Sequence, residues 1–232
     1  MTLLFQVTQP SVAIAGRTER FPVHRVYCVG RNYAEHAREM GANPQRDPPF
    51  FFMKPADAIV ASGAEVAYPP ATQNLHYEME LVTAIGKHGA GIPKSQAEAH
   101  VWGYAVGIDL TRRDLQLAAR DSGRPWDAGK GFDESAPISA LHAADALGHP
   151  QSGRIWLAVN GDIKQDSDIG KLIWSVPEII EQLSGLFALQ PGDLIYTGTP
   201  AGVGPVKPGD RITGGVDGVD TIDVRIVAGS SR

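Results

Sequence analysis

The chain has almost no cysteine: Cys28 is the single thiol among 232 residues. One cysteine cannot form a disulfide within the chain, which argues against a small secreted protein stapled by disulfides. Cys28 lies in the apolar segment VYCVG with no neighbouring sign of activation, so a buried structural thiol is expected. Its lone cysteine fits a protein of a reducing compartment.

The chain also lacks clustered basic charge and long apolar runs. Lys and Arg number 21 against 26 Asp and Glu, and the formal net charge is −5. Without a run of Lys or Arg, neither nucleic acid nor an anionic membrane surface is an expected partner. No apolar segment approaches the roughly 20 residues that a membrane span requires, and the opening residues do not resemble a signal peptide. We therefore expect a cytoplasmic protein.

Glycine and proline, by contrast, are abundant, with 26 and 17 residues. Such a composition suits a β-rich protein with many turns, and both Pro-Gly-Asp phrases have the chemistry of type II turns. Asn160-Gly161 predicts a hairpin, and the last third of the chain resembles a β-meander. Further strands are predicted at 11–23 (a pair), 26–30, 50–53, 78–86 and 101–110. The expected fold class is α+β, β-rich, dominated by antiparallel or mixed sheet, with no linker between domains.

Three segments have helical signals. Residues 31–41 are compatible with a helix that ends at Gly41. Thr111 and Asp114 match a capping box, which predicts a helix reaching about Ser122. A second box, Ser175 to Glu178, opens a helix through about Phe187.

Glu78 and Glu80 are separated by one residue inside a predicted strand. Alternate side chains of a strand share a face, so the two carboxylates would lie close together, and a hard cation such as Mg²⁺ or Mn²⁺ would relieve their repulsion. Asp109 ends a strongly apolar strand, where a charged group needs a partner. The pattern alone is weak evidence for a metal site: it also fits a solvent-facing strand and, at Asp109, turn or helix-cap chemistry.

His36 and Glu39 lie three positions apart on the first predicted helix, so they can touch. A carboxylate beside an imidazole can fix its tautomer and raise its basicity, which gives a candidate general base. An ordinary surface contact is the alternative interpretation.

Arg113 and Gln116 share one face of the second predicted helix, just after Asp109. An arginine fork beside a metal suits a substrate carboxylate, although a solvated helix position has the same pattern. Lys130 lies in the Gly-flanked segment WDAGKGFD, where it could neutralise a developing enolate. The alternative is an exposed loop lysine.

The segment from Gly198 to Gly204 has the glycine content of a phosphate loop. It lacks the Gly-Lys-Ser/Thr ending and continues into Pro205 rather than a helix, so a nucleotide site is rejected. Its amides and the Thr199 hydroxyl remain candidates for binding an anion.

Taken in order, seven phrases resemble the fumarylacetoacetate hydrolase family. They are VGRNYAEHAREM (29–40), FFMKP (51–55), NLHYEMEL (74–81), GYAVGIDLTRRDLQ (103–116), PWDAGKGFDESAP (125–137), LAVNGDIKQ (157–165) and PGDLIYTGTPAGVG (191–204). The resemblance implies a fumarylacetoacetase-like mixed β-sandwich roll with few helices over 23–232, preceded by a short β-hairpin segment at 1–22. The stretches 168–173 and 214–224 depart from the family pattern. The resemblance therefore does not define the distal substrate pocket or the acyl group that it accepts.

The resemblance further implies a homodimer and one Mg²⁺ or Mn²⁺ per subunit, held by Glu78, Glu80 and Asp109. It implies a lid helix with a catalytic His36–Glu39 pair and a small 2-oxo acid substrate. Lys130 would then be catalytic, and the substrate-binding residues would be Arg113, Gln116 and Thr199.

The expected reaction is hydrolysis of a C–C bond in a 2,4-dioxo acid, such as fumarylpyruvate or a related acylpyruvate, in aromatic catabolism of the gentisate type. Oxaloacetate decarboxylation, or another lyase or isomerase reaction on the same metal site, is the alternative. An intact His36–Glu39 pair favours hydrolysis. A non-catalytic scaffold is disfavoured because the three metal-binding carboxylates and Lys130 are all present.

Overall fold

The computed structural model describes residues 4–41 and 47–229, so the outer ends of the segments 1–22 and 23–232 lie outside the described residues. Strands dominate this part of the chain and the helices are short, as the predicted fold class requires. The α-helices are α1 (Ala34–Glu39), α2 (Arg113–Asp121), α3 (Asp127–Lys130), α4 (Ala144–Leu147) and α5 (Val176–Leu186). Turns of 3₁₀ helix cover Ala56–Ala58, Lys94–His100 and Ile169–Lys171. Within the described ranges, no helix has the length and apolar character needed to cross a membrane.

The largest sheet among these residues is mixed and has eight strands. Its strands are β3 (Val26–Gly30), β4 (Phe50–Lys54), β5 (Ile59–Ala61), β8 (Met79–Ile85), β9 (Val101–Ile108), β11 (Ala136–Ile138), β12 (His142–Ala143) and β15 (Leu194–Tyr196). The order is β4-β3-β15-β8-β9-β11-β5, and β12 also pairs with β9. The pairs β15–β3 and β11–β5 are parallel, while β8 and β9 form a long antiparallel pair at the centre.

A five-stranded sheet packs against the largest one, in the order β14-β13-β17-β18-β6. It contains β6 (Glu65–Ala67), β13 (Arg154–Val159), β14 (Asp162–Asp168), β17 (Arg211–Val216) and β18 (Asp220–Val227). A three-stranded sheet joins β7 (Leu75–Tyr77), β10 (Thr111–Arg112) and β16 (Gly204–Val206). The predicted N-terminal hairpin is present as β1 (Ser11–Ala13) and β2 (Arg20–Pro22).

The central strand β8 is buried on both faces, and all seven of its residues are buried. On one face, Leu81 belongs to a core shared with Ile155 and Leu157 of the five-stranded sheet. On the other face, Val82 belongs to a smaller core that includes Phe21 of the hairpin. Because both faces are covered, a polar side chain at the end of β8 is enclosed by protein.

Local sequence signals correctly predicted one hairpin turn and one helix cap. Asn160 and Gly161 have φ of 53° and 91° and connect β13 to β14 as a hairpin. Ser175 and Glu178 form the predicted capping box of α5, with a proline in the first turn.

Three local predictions were wrong. The first helix begins at Ala34 rather than Arg31, since Arg31 has φ of 58°. Helix α2 begins at Arg113 and has no side-chain cap, because the Thr111 hydroxyl donates to the Asp109 carbonyl and accepts from Lys130 instead. The C-terminal third is not one meander: β15, β16 and β17 belong to three different sheets.

Asn32 ties the base of α1 to two distant segments. It is 1% exposed; its amide nitrogen donates to the carbonyls of Trp174 and Thr197 at 2.9 and 2.8 Å, and its oxygen accepts from the Trp174 amide at 2.7 Å. Replacing Asn32 by Ala should lower the unfolding temperature by roughly 5–10 °C, because each buried group left unpaired costs about 1–3 kcal/mol. Thermal unfolding followed by circular dichroism measures this.

Asn32→Asp is the matched variant for that prediction. Aspartate keeps the shape of the side chain but places a carboxylate oxygen, an acceptor, against the carbonyls of Trp174 and Thr197. The variant should therefore be at least as destabilising as Asn32→Ala. An unfolding temperature within a degree or so of the wild type in both variants would contradict the role assigned to Asn32.

Candidate metal centre and active-site pocket

Glu78, Glu80 and Asp109 form a buried carboxylate cluster. One oxygen from each lies within 4.8 Å of the others, and the residues are 5%, 2% and 0% exposed. Glu78 sits in the break between β7 and β8, and Glu80 belongs to β8. The β8–β9 pairing places Ile108 opposite Met79, so Asp109, the next residue, arrives beside both glutamates. The structure thus brings the three predicted metal-ligating side chains together.

Three cations surround two of these carboxylates. Glu78 accepts from Arg113 Nη2 at 2.5 Å and from Lys130 Nζ at 2.9 Å. Asp109 has Lys130 Nζ at 2.7 Å and Lys54 Nζ at 2.8 Å. Glu80 differs: it accepts from the Gly198 amide at 2.7 Å and makes no ion pair with any described residue. Negative charge at Glu80 is therefore the least compensated in the cluster.

This difference separates the pKa values of the two glutamates. Burial alone would raise the pKa of Glu78, but the charges of Lys130 and Arg113 outweigh it and hold that pKa well below its usual range. Burial, together with the charges of Asp109 and Glu78, raises the pKa of Glu80 well above its usual value. A further positive charge beside Glu80 would reverse that effect.

The cluster fits a divalent cation. Its donors are all carboxylate oxygens, the ligand type that Mg²⁺ and Mn²⁺ prefer. Asp109 Oδ1 receives no well-formed hydrogen bond, although Lys54 Nζ lies close to it. A divalent cation would satisfy this unpaired acceptor within the carboxylate cluster.

His36 and Glu39 of α1 are in contact, with 3.2 Å between Nδ1 and Oε2. His36 is 6% exposed, whereas the Glu39 side chain is 35% exposed, so the imidazole of the pair is buried and the carboxylate reaches the surface. Both oxygens of Glu39 also accept from the Gly202 amide, at 3.2 and 3.3 Å. The bond to His36 lowers the pKa of Glu39, so that carboxylate is ionised at neutral pH.

The segment Gly198–Gly204 does bind anionic groups, but they are carboxylates of the protein. The Gly198 amide holds Glu80 and the Gly202 amide holds Glu39. Both glycines have positive φ, at 106° and 95°, and a Cβ on Gly202 would lie 2.2 Å from the Lys164 carbonyl oxygen. The segment thereby joins the carboxylate cluster to α1.

Arg113 is buried and makes three side-chain contacts. Its fork donates to Glu78, and to Gln116 Oε1 at 2.5 Å, while Nε lies 3.4 Å from His76 Nδ1. Burial and the charge of Arg113 lower the pKa of His76 to about 4, so this imidazole is neutral and can accept from Arg113. The other ring nitrogen of His76 contacts Asn74 Oδ1 at 2.9 Å. The predicted Arg113–Gln116 pair is therefore a rigid unit at the carboxylate cluster.

Sequence reasoning missed two residues of this site. Lys54 has a fully buried side chain and donates to the Leu110 carbonyl at 3.0 Å. Gln165 is 0% exposed and connects the Met79 amide to the Thr199 hydroxyl, with bonds of 3.0 and 2.8 Å. A charged residue ending the apolar run FFFMK was the available signal for Lys54; no local signal marks Gln165.

One pocket collects most of the predicted site. Its buried floor is lined by Glu78, Glu80, Arg113, Gln116, Lys130 and Thr199, and His36 faces the same space. Asp109 lies beneath the floor with no exposed surface. The divergent stretches 168–173 and 214–224 contribute no lining residue among those described; Leu172 instead pairs with Tyr33 at the base of α1.

Comparison with known proteins gives a consistent result. A family model described as the C-terminal domain of fumarylacetoacetate (FAA) hydrolase matches residues 25–227. A fumarylpyruvate hydrolase from Ralstonia sp is 54% identical over 177 residues, 76% of this chain and 92% of that protein. The mitochondrial oxaloacetate tautomerase FAHD1 of Mus musculus is 41% identical over 201 residues, 87% of this chain and 90% of the relative. The crystal structure of fumarylpyruvate hydrolase from Pseudomonas aeruginosa in complex with Mn²⁺ and pyruvate superposes with a TM-score of 0.96 at 57% identity, covering 98% of this chain and 100% of that one.

Proposed function

Because this chain belongs to the fumarylacetoacetate hydrolase family, we propose that it hydrolyses the C–C bond of fumarylpyruvate or a related acylpyruvate, giving pyruvate and the acid of the acyl group. The observation that carries the proposal is one pocket with two kinds of chemistry. A carboxylate cluster for a divalent cation forms its floor, and a His–Glu pair faces the same space. Cation and general base together are what hydrolysis of a chelating dioxo acid requires.

Glu78, Glu80 and Asp109 would hold Mg²⁺ or Mn²⁺. A bound divalent cation supplies Lewis-acid stabilisation of the substrate's oxo and carboxylate oxygens. Arg113 and Gln116, already locked to each other, orient the carboxylate end together with Thr199, which Gln165 fixes in place. A rigid set of donors costs little entropy when the substrate binds.

His36 acts on water. Its Nδ1 faces Glu39, so Nε2 is the nitrogen that takes the proton from a water attacking the distal carbonyl. Glu39 stays ionised and stabilises the imidazolium that results. Lys130, whose ammonium group lies between Glu78 and Asp109, adds positive charge where the leaving enolate develops.

Oxaloacetate is a second candidate substrate, because a relative of 41% identity is an oxaloacetate tautomerase. Decarboxylation uses the same chelated 2-oxo acid with no attacking water and no base. Tautomerisation also needs no attacking water, but it does need a base that takes the proton from C3. The His36–Glu39 pair therefore favours hydrolysis over decarboxylation, and the substrates that are turned over separate hydrolysis from tautomerisation.

The test is a spectrophotometric panel that follows loss of dioxo-acid absorbance. Fumarylpyruvate, acetylpyruvate and fumarylacetoacetate are compared with oxaloacetate, each with Mg²⁺ and with Mn²⁺. We expect metal-dependent hydrolysis with the highest kcat/KM for fumarylpyruvate. Turnover confined to oxaloacetate would reject the proposal.

We also propose a cytoplasmic homodimer that acts in aromatic catabolism. The buried lone thiol of Cys28 supports a reducing compartment. Leu186 and Phe187 are 67% and 40% exposed beside an open groove, which supports an interface there. Sedimentation velocity tests the dimer, and a monomer at micromolar concentration would count against it.

A further inference from the structure

The rim of the active-site pocket differs chemically from its floor. Where the floor is buried and holds the carboxylate cluster, the rim is partly exposed and combines apolar with cationic side chains. The rim residues used below are Arg31, Met40, Phe52, Arg120 and Trp126. No acidic side chain lines this rim within the described residues.

A row of aromatic contacts leads from the floor to the rim. Lys130 Nζ lies 5.0 Å from the centre of the Phe52 ring, and Phe52 lies 5.7 Å from Trp126. Trp126 in turn meets Phe50 edge-on at 5.0 Å. The Arg31 guanidinium lies over Phe50, at 5.6 Å from the ring centre. Arg31 is thus at the far end of the pocket from Lys130, separated from it by three rings.

The two rim arginines are not equivalent. Arg120 pairs with Asp121 at 2.9 Å and donates to the Met40 carbonyl at 3.3 Å, so its charge is compensated. Arg31 makes no ion pair with any residue that the structure describes, and its contact is the Phe50 ring. Stacking on a ring holds a guanidinium in place while leaving its N–H donors free.

The backbone at Arg31 supports a role for its side chain. Arg31 has φ of 58°, in the left-handed region that non-glycine residues rarely adopt. A glycine would adopt this conformation at lower cost, yet the position carries a long cationic side chain at the mouth of the site.

We infer that Arg31 binds the distal carboxylate of a dicarboxylate substrate and so selects fumarylpyruvate over acylpyruvates whose acyl group is uncharged. This inference rests on the proposed function, because it assumes that the pyruvyl end lies at the floor. Fumarylpyruvate carries a carboxylate at each end, and its flat conjugated acyl group suits the walls made by Phe52 and Trp126. An unpaired guanidinium at the far end offers the two parallel donors that a carboxylate accepts.

The test compares fumarylpyruvate with crotonylpyruvate, in which a methyl group replaces the distal carboxylate and the rest of the acyl chain is unchanged. In Arg31→Met, kcat/KM for fumarylpyruvate should fall by roughly 30-fold, while kcat/KM for crotonylpyruvate changes less than about threefold. In Arg31→Lys, kcat/KM for fumarylpyruvate should lie between the values of the wild type and Arg31→Met, because lysine keeps the charge without the guanidinium fork. Met and Lys carry the same backbone cost at this φ as Arg, so folding should not differ.

Arg124→Met is the matched control, since Arg124 is exposed, lies outside the pocket lining and loses the same charge. This variant should leave kcat/KM unchanged for both substrates. Equal losses on both substrates in Arg31→Met, or no loss on fumarylpyruvate, would overturn the inference while the proposed function stands. Wild-type enzyme that cleaves neither substrate would overturn the proposed function and the inference with it.

Discussion

Glu80→Gln is expected to reduce the affinity for Mn²⁺ by at least roughly a hundredfold, since loss of a mere supporting partner already costs 10–100-fold in metal sites. The physical reason is the asymmetry of the cluster. Glu78 and Asp109 each have lysine or arginine partners, whereas Glu80 has the Gly198 amide and no cation. Glu80 is therefore the carboxylate whose charge is available to a metal ion.

The same asymmetry predicts that this variant still folds. A glutamine at position 80 keeps the side-chain shape, can accept from the Gly198 amide, and removes a charge that Asp109 and Glu78 repel. Without metal, the variant should unfold at or above the wild-type temperature. A site that had lost affinity through misfolding would unfold at a lower one.

Isothermal titration calorimetry with Mn²⁺, beside thermal unfolding of the metal-free proteins, measures both effects. Glu65→Gln is the matched control, because Glu65 is exposed in β6 of the five-stranded sheet and makes the same change of charge. Unchanged Mn²⁺ affinity in Glu80→Gln would show that the ligand set is wrong.

The sequence predicted those parts of the structure that depend on neighbouring residues. The turn at Asn160-Gly161 and the capping box at Ser175 are local chemistry, and both are present. The alternation of Glu78 and Glu80 placed two carboxylates on one side before any pairing was known. Sheet order was not predictable in this way, because β3 pairs with β15 from the other end of the chain.

Competition between partners explains the wrong cap at Thr111. Its hydroxyl could have capped α2, but the buried ammonium group of Lys130 lies 2.7 Å away and is the stronger partner. Lys54 and Gln165 were missed for a related reason. Each acts through contacts with residues far away in the sequence, so its role exists only in the folded molecule. The ordered family phrases supplied the ligand set that local reasoning left open.

His36→Ala is expected to lower kcat for fumarylpyruvate hydrolysis by about 10²–10⁴, the usual contribution of a general base. Mn²⁺ affinity should stay within about twofold of the wild type, because His36 belongs to α1 and not to the carboxylate cluster. Any decarboxylation of oxaloacetate should survive, since that reaction needs no attacking water and no base. The variant thus distinguishes an effect on hydrolysis from an effect on metal binding.

Glu39→Gln tests the same pair from its other side. The amide still reaches His36 but no longer offers a negative charge to the imidazolium, so the loss in kcat should be smaller than in His36→Ala. His88→Ala is the control, because His88 is an exposed histidine outside the pocket. Full hydrolytic activity in His36→Ala would reject the base, and a parallel loss of Mn²⁺ binding would make its role structural. If hydrolysis is lost while metal binding is retained, the His36–Glu39 pair, rather than the carboxylates, separates hydrolysis from decarboxylation of a chelated 2-oxo acid.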